Sequence, residues 1–162
     1  MSAFDYNSKI LSWSAVRRER TQLREEGKVV VFTNGCFDVL HLGHLRYLTF
    51  AREQGDCLMV GLNSDASVRR NKGAGRPIVS EMDRALMLSG LVAVDFVVIF
   101  DQDEPCKLIG DLVPDVLVKG QDWMHYVSGR EIVEKSGGKV VLAKLTEDQS
   151  TTRIIESIQK RP

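Results

Sequence analysis

The sequence lacks most of the features that assign a function class directly. Its three cysteines, Cys36, Cys57 and Cys106, are odd in number and widely spaced, and none forms a thiolate pair with metal spacing. A secreted disulfide framework is thereby excluded, and a reducing cytoplasm is the expected setting. Lys and Arg total 22, as do Asp and Glu, so no overall field recruits nucleic acid or a membrane surface. No apolar run reaches membrane-spanning length, and the amino terminus has no signal-peptide core. The Gly-x-x-x-x-Gly-Lys-Ser/Thr loop of kinases and ATPases is absent, as is a Gly-x-Ser-x-Gly elbow. The glycines around residues 35–43 do not follow the dinucleotide-binding spacing. Histidine is scarce as well, and two of the three, His41 and His44, lie three residues apart.

What is present is a chain of 162 residues, the size of one domain with a real core. Residues 1–26 are expected to form an amino-terminal segment with a solvated surface helix from Ser14 to about Glu26, docked by Trp13, Val16 and Leu23; the main domain covers 27–162. Val29 to Phe32 reads as a buried strand, ending in a turn at Thr33-Asn34-Gly35. Helical periodicity then runs from Leu42 to about Gln54. Further strands are expected at 57–63, 96–100, 114–120 and 137–145. Helices are expected at 81–89 after a Ser80 cap, from Pro105 to about Gly110, at 129–136, and after Ser150. The basic segment 66–79 reads either as a charged surface loop or as a mobile element that closes on phosphates. Alternating strands and helices predict an α/β domain, with a five-stranded, predominantly parallel sheet and helices on both faces.

Ligands of such folds sit at the carboxyl edge of the sheet. Asn34, His41, Asn63, Lys119 and Ser150 all fall near predicted strand ends or the turns that follow. His41 and His44 straddle a helix start, where they point the same way beside unpaired first-turn amides, a set suited to an anion. The alternatives are a structural role and, less well supported, zinc held with Cys36 and Asp38. Together with Lys72, Lys119 and the Ser150-Thr151-Thr152-Arg153 helix start, the histidines can hold a triphosphate without a covalent nucleophile. Phosphoryl chemistry needs chiefly charge stabilisation and alignment, which this inventory supplies in kind.

The run Gly35-Cys36-Phe37-Asp38-Val39-Leu40-His41-Leu42-Gly43-His44 resembles the signature of the His-x-Gly-His nucleotidyltransferase superfamily. Lys72-Gly73, Arg76-Pro77, residues 114–120 and Ser150 to Arg153 are similar to the adenylyltransferase domain of bacterial ADP-heptose synthesis enzymes. The resemblance covers about residues 27–160. It implies a Rossmann-like nucleotidyltransferase that transfers AMP from ATP to D-glycero-β-D-manno-heptose 1-phosphate, with pyrophosphate leaving. Nothing of kinase size precedes residue 27, so a stand-alone enzyme served by a separate sugar kinase is expected. The competing readings are a cytidylyltransferase acting on glycerol 3-phosphate or a similar phosphoalcohol, and a non-catalytic nucleotide-binding protein.

Carried over residue by residue, the resemblance makes His41 and His44 the groups that stabilise charge at the α-phosphorus, with Lys72 as a further catalytic candidate. Thr33, Asn34, Gly35, Cys36 and Phe37 would form the nucleotide-binding turn, with Asp38 contacting or supporting it and Gly43 in the motif. Asn63, Asp65 and Arg84 are candidates for phosphate binding, and Arg84 reads equally as surface charge. Lys119, Gly120 and Asp122 would line the nucleotide or sugar pocket beside Trp123. Ser150, Thr151 and Thr152 would hold the β and γ phosphates while capping the last helix. Mg²⁺ is implied with ATP, and no dedicated protein metal site is expected. A homodimer is also expected; nucleic acid and membrane partners are not.

Overall fold

The apolar, β-branched runs become strands. The computed structural model describes residues 5–144 and 150–160. Strands β1 (Val30–Gly35), β2 (Cys57–Asn63), β3 (Phe96–Phe100), β4 (Val116–Gly120) and β5 (Lys139–Ala143) form one sheet in the order β3-β2-β1-β4-β5. Each of the four pairings is parallel. A parallel sheet must be covered on both faces, and successive side chains along a strand point to opposite faces. Helices α2 (Leu42–Arg52) and α4 (Glu81–Ser89) therefore pack Leu48, Ala51, Ala85 and Leu88 against Val31, Leu58, Val60 and Leu62. On the other face, α1 (Trp13–Glu25), α5 (Cys106–Leu112) and α6 (Arg130–Lys135) set Val16, Leu108, Ile109 and Val133 against Val30, Phe32 and Met59. The two remaining helices, α3 (Asp65–Lys72) and α7 (Thr151–Gln159), follow β2 and β5. The expected α/β architecture with helices on both faces is the one that forms.

Four expectations are corrected. The first strand does not end in a turn at Thr33: Asn34 pairs with Gly61 and Gly35 with Leu62, because the longer β2 offers ladder partners to the end. Gly61 permits this close packing, since a Cβ there would lie 2.7 Å from the Phe32 ring. The segment 66–79 is not all loop, for α3 occupies its first part, capped by Ser64, whose hydroxyl accepts the Ser67 N–H. Val68 is the one large apolar residue of α3, too little to show a period in the sequence. The strand expected at 137–145 is shorter, Lys139–Ala143, with Gly137, Gly138 and Lys144 outside it, and Leu145 lies outside the described residues.

The fourth correction concerns α1, whose arginines were expected to be solvated. Arg20 is 3 % exposed. Its guanidinium donates to the carbonyls of Leu112 at 3.1 Å and Val113 at 2.9 Å, and to Asp115 Oδ1 at 3.0 Å. These carbonyls end α5, where Val113 takes a left-handed φ of 43° and the helix leaves acceptors unpaired. Arg20 thus caps a helix in another part of the chain while Asp115 accepts the Val30 N–H with its second oxygen. Arg20→Ala is expected to lower unfolding free energy by about 2 kcal/mol, because it strands the Leu112 carbonyl and leaves Asp115 without its partner, while the Val113 carbonyl keeps the Arg24 donor at 3.0 Å. Urea unfolding measures this, and a loss below about 1 kcal/mol would show that the cap is dispensable.

Candidate active site

From β1 the chain winds outward through β2 and β3, then returns to the other side of β1 as β4. The crevice at such a reversal point is where an open parallel sheet receives ligands. Asn34 and Gly35 end β1, Lys119 and Gly120 end β4, and the Lys119 ammonium donates to Asn34 Oδ1 at 2.9 Å across the gap. Two adjoining lobes of about 350 and 500 Å³ open here. They share Asn34, Gly35, Cys36, Phe37, His44, Lys72, Lys119, Trp123 and Thr151 as lining. His41, Gly43, Gly120, Asp122 and Ser150 belong to the smaller lobe. Asp38, Asn63 and Thr152 border the larger.

The loop from β1 to α2 is strained. Phe37 and Val39 hold φ values of 46° and 54°, unusual for any side chain and more so for β-branched Val39. Between them Asp38 is buried, and its carboxylate accepts the Ile78 N–H at 2.9 Å, the Val79 N–H at 3.0 Å and Arg76 Nε at 2.5 Å. Burial alone would push the Asp38 carboxyl up, but the Ile78 and Val79 amides and the Arg76 guanidinium together hold it below the usual range. With these donors engaged, its charge serves the loop; direct phosphate contact, the other expectation, is disfavoured by like charge. The Asp38 carbonyl also accepts the Thr151 hydroxyl at 2.7 Å, which ties the start of α7 to the same loop.

His41 is the N-cap of α2, its Nδ1 accepting the Gly43 N–H at 3.1 Å. A ring nitrogen that accepts carries no proton, so neutral His41 bears its proton on Nε2. His44 lies one turn on, stacked on His41 with ring centroids 3.9 Å apart. Burial, and then repulsion from His41, push the His44 imidazole down to about 4, and burial lowers His41 too. Both rings are therefore neutral at pH 7. His44 Nδ1 is buried with no partner among the described residues. Burial likewise lowers the Lys119 ammonium to about 8, so it remains largely charged at neutral pH, 5.2 Å from the Trp123 ring centroid.

Three expected binders lie beneath the site rather than in it. Arg84 is 1 % exposed, and its donors go to the carbonyls of Val79, Cys36 and Asn63 and to Asp65. Arg84 and Asp65 are thus an ion pair that fixes the β1 and β2 ends, and neither borders the lobes. Buried Thr33 is engaged with the Tyr47 hydroxyl at 2.7 Å. Asn63 borders the larger lobe, but its amide donates to Ser67. Ser150 caps α7, accepting the Arg153 N–H. Sequence reasoning missed Tyr47, whose hydroxyl donates to the Val118 carbonyl at 3.0 Å while its ring lines the smaller lobe. Its position three residues after His44, on the same helix face, was the available signal. Glu104, Tyr126 and Ser128 in the larger lobe were also missed. Among the described residues, no three His, Cys, Asp or Glu side chains are grouped to hold a metal, and no helix is long and apolar enough to cross a membrane.

Comparison with known proteins gives one family and a consistent set of relatives. The cytidylyltransferase-like family matches residues 32–157. The chain is 51% identical over 160 residues to the bifunctional protein HldE of Syntrophotalea carbinolica, covering 98% of this chain and 33% of that protein. With HldE of Geotalea uraniireducens the identity is 53% over 156 residues, 96% of this chain and 32% of the relative. The chain thus spans about a third of the length of these curated relatives. Among solved structures, a lipopolysaccharide core biosynthesis protein from Thermoplasma volcanium superposes with a TM-score of 0.61 at 28% identity, covering 76% of this chain and all of that one. Pantoate-beta-alanine ligase from Francisella tularensis also gives 0.61, at 13% identity over 93% of this chain and 76% of its own, a likeness of fold alone.

The desolvated histidine has a consequence for stability. Its folded value near 4 lies below its ordinary 6.5, so between those pH values the unfolded chain binds a proton that the folded chain refuses. Stability from this group is full above about pH 6.5 and falls as pH drops toward 4, by roughly 3 kcal/mol in all. His44→Gln is expected to flatten that part of the profile. Urea unfolding of parent and variant between pH 4 and 7 checks it, and parallel profiles would contradict a desolvated His44.

Proposed function

The chain belongs to the cytidylyltransferase-like family of nucleotidyltransferases, and from that membership we propose that it transfers AMP from ATP to D-glycero-β-D-manno-heptose 1-phosphate. The observation that carries the proposal is the stacked, neutral His41–His44 pair beside a cleft bounded by Lys72, Lys119 and the start of α7. The choice of heptose draws on the similarity to ADP-heptose synthesis enzymes and on relatives named bifunctional protein HldE. A structural neighbour named for lipopolysaccharide core biosynthesis is in keeping with it.

In the proposed reaction a phosphate oxygen of heptose 1-phosphate attacks the α-phosphorus of ATP. The bond to the β,γ-pyrophosphate breaks as the new one forms, giving ADP-heptose and pyrophosphate. His41 Nε2–H and the His44 ring act as donors to the oxygens that gain charge. Two neutral imidazoles avoid the repulsion of stacked cations in the free protein, and triphosphate charge raises the affinity of both for protons once bound. Thr152 and the first amides of α7 hold the β and γ phosphates, the favourable charge at a helix start, while the Thr151 hydroxyl, its one donor spent on the Asp38 carbonyl, fixes that start in place. Lys119, on the other wall, offsets negative charge without leaving Asn34. Mg²⁺ supplies charge neutralisation of the triphosphate; with no grouped carboxylates among the described residues, its ligands would be phosphate and water oxygens. A sugar kinase must supply the acceptor's phosphate.

The test is pyrophosphate release from ATP and CTP, each with heptose 1-phosphate and glycerol 3-phosphate. CTP is included because the matching family is named for cytidylyl transfer. The expected result is turnover with ATP and heptose 1-phosphate that exceeds the other three pairs; preference for CTP with glycerol 3-phosphate would replace the proposal by its alternative. His41→Ala and His44→Ala should each lose at least about a hundredfold in kcat while ATP binding stays within roughly tenfold, because donors matched to developing charge act on the barrier more than on ground-state affinity. Near-parental turnover in either folded variant would remove that histidine from catalysis.

Thr152→Ala should raise the KM for ATP and leave that for the acceptor unchanged. Thr151→Ala should also lower stability, because it releases the Asp38 carbonyl. An unaltered KM for ATP in the double variant would move the β and γ phosphates away from α7.

A further inference from the structure

The larger lobe continues past the histidines to side chains for which phosphate binding has no use. Glu104 follows β3 at the carboxyl edge of the sheet, while Tyr126 and Ser128 follow β4. The Tyr126 and Ser128 hydroxyls each donate to Glu104 Oε2 at 2.9 Å, and the Cys106 thiol lies 2.9 Å from the Ser128 hydroxyl oxygen and 3.8 Å from Oε2. Bonds from Ser128 and then Tyr126 hold the Glu104 carboxyl below the usual range. At neutral pH it is therefore ionised and accepts only. All these donors converge on Oε2, and Oε1 receives none among the described residues. Asp103 borders the same end of the lobe.

A phosphate would meet the ionised Glu104 carboxylate here, with Asp103 beside it already paired to Arg70 at 2.6 Å. A neutral, hydroxyl-rich group meets a free carboxylate oxygen, which accepts from a hydroxyl, and two side-chain hydroxyls with lone pairs to spare. The lobe's volume of about 500 Å³ is enough for a monosaccharide ring. In-line displacement also places the acceptor and the leaving pyrophosphate on opposite sides of the α-phosphorus. With the nucleoside part of ATP beside Gly120, Asp122 and Ser150 in the smaller lobe and its β and γ phosphates at the start of α7, the part of the larger lobe lined by Glu104, Tyr126 and Ser128 is left for the acceptor.

We infer that Glu104, positioned by Tyr126 and Ser128, is the specificity subsite for the hydroxyl-bearing ring of the acceptor. The inference rests on the proposed transfer to a sugar 1-phosphate and adds to it the residues that select a polyol ring over a short phosphoalcohol. Glu104 and Tyr126 are exposed, so the subsite favours a ring hydroxyl by one charge-assisted hydrogen bond rather than by a buried group left unpaired.

The test is steady-state kinetics of the full chain and its Glu104→Ala and Tyr126→Phe variants, with thermal unfolding to verify folding. Glu104→Ala should raise the KM for heptose 1-phosphate by about tenfold or more, the worth of one hydrogen bond to a charged group. The KM for ATP should stay within about twofold, and inhibition by glycerol 3-phosphate, which carries the phosphate without a ring, should not change. Tyr126→Phe should show the same pattern more weakly, since it frees Glu104 without deleting it. A Glu104→Ala variant whose KM for the sugar phosphate stays within about twofold overturns the subsite, and so does one whose KM values for ATP and sugar rise together. A parent protein that turns over no sugar 1-phosphate fails the proposed function first and the subsite with it, a result separable from failure in the variant alone.

Discussion

A buried carboxylate with three donors governs the geometry of the cleft. Asp38 connects the strained 36–41 loop to residues 76–79, about forty positions later, through its side chain, and to Thr151 through its carbonyl. Two left-handed side-chain residues, Phe37 and Val39, flank it, and each such conformation costs on the order of 1–3 kcal/mol. They persist because surrounding bonds over-determine the backbone. The return is positional: the chain leaves β1 sharply enough to present His41 as the cap of α2 and His44 one turn on. Beneath the loop, Arg84 receives the Cys36 carbonyl and so joins the same frame to the end of β2. The frame is fixed before any ligand arrives, which is what preorganised electrostatic stabilisation requires.

How much of this was legible follows from the length scale of each signal. Buried parallel strands are continuous apolar runs, so the five strands could be read from Val30–Phe32, Cys57–Leu62 and their counterparts, whereas their order in the sheet could not. The histidine pair and the α7 cap are local patterns and were equally visible. Arg20, Arg84 and Asp38 were misread, or only half read, because, apart from Val79 beside Arg84, their partners lie between 19 and 113 residues away. A charged residue in a polar stretch reads as solvated until the fold shows which carbonyls it reaches. Helix α3 escaped for the opposite reason, as its single large apolar contact gave periodicity nothing to register.

The same residue types divide into two roles by how completely their polar atoms are used. Arg84 has its donors committed to carbonyls and a carboxylate, which makes it structure; adding phosphate would mean breaking those bonds. Among the described residues Lys119 makes a single side-chain hydrogen bond, to Asn34, and it lines both lobes, so its ammonium has donors to offer a ligand. His44 Nδ1, buried without a partner, lies at the far end of that scale. An unsatisfied buried polar atom costs roughly 1–3 kcal/mol; Arg20 Nη1 carries the same cost away from the cleft, so the open nitrogen marks a reaction site only together with the place of His44 in the cleft wall.

Charge along the larger lobe has a polarity that net neutrality conceals. Lys72, Lys119 and the neutral His44 line it together with ionised Glu104, while the Asp103 carboxylate on its border is paired with Arg70 at 2.6 Å. A dianion is drawn to the cations and repelled by Glu104. A molecule with phosphate at one end and hydroxyls at the other satisfies both, and it binds in only one direction. That directionality matters more than affinity for the chemistry, because reversing the acceptor would carry its phosphate away from the α-phosphorus. Binding at the hydroxyl end thus serves to orient the nucleophile at the histidine end, where proximity and alignment lower the barrier.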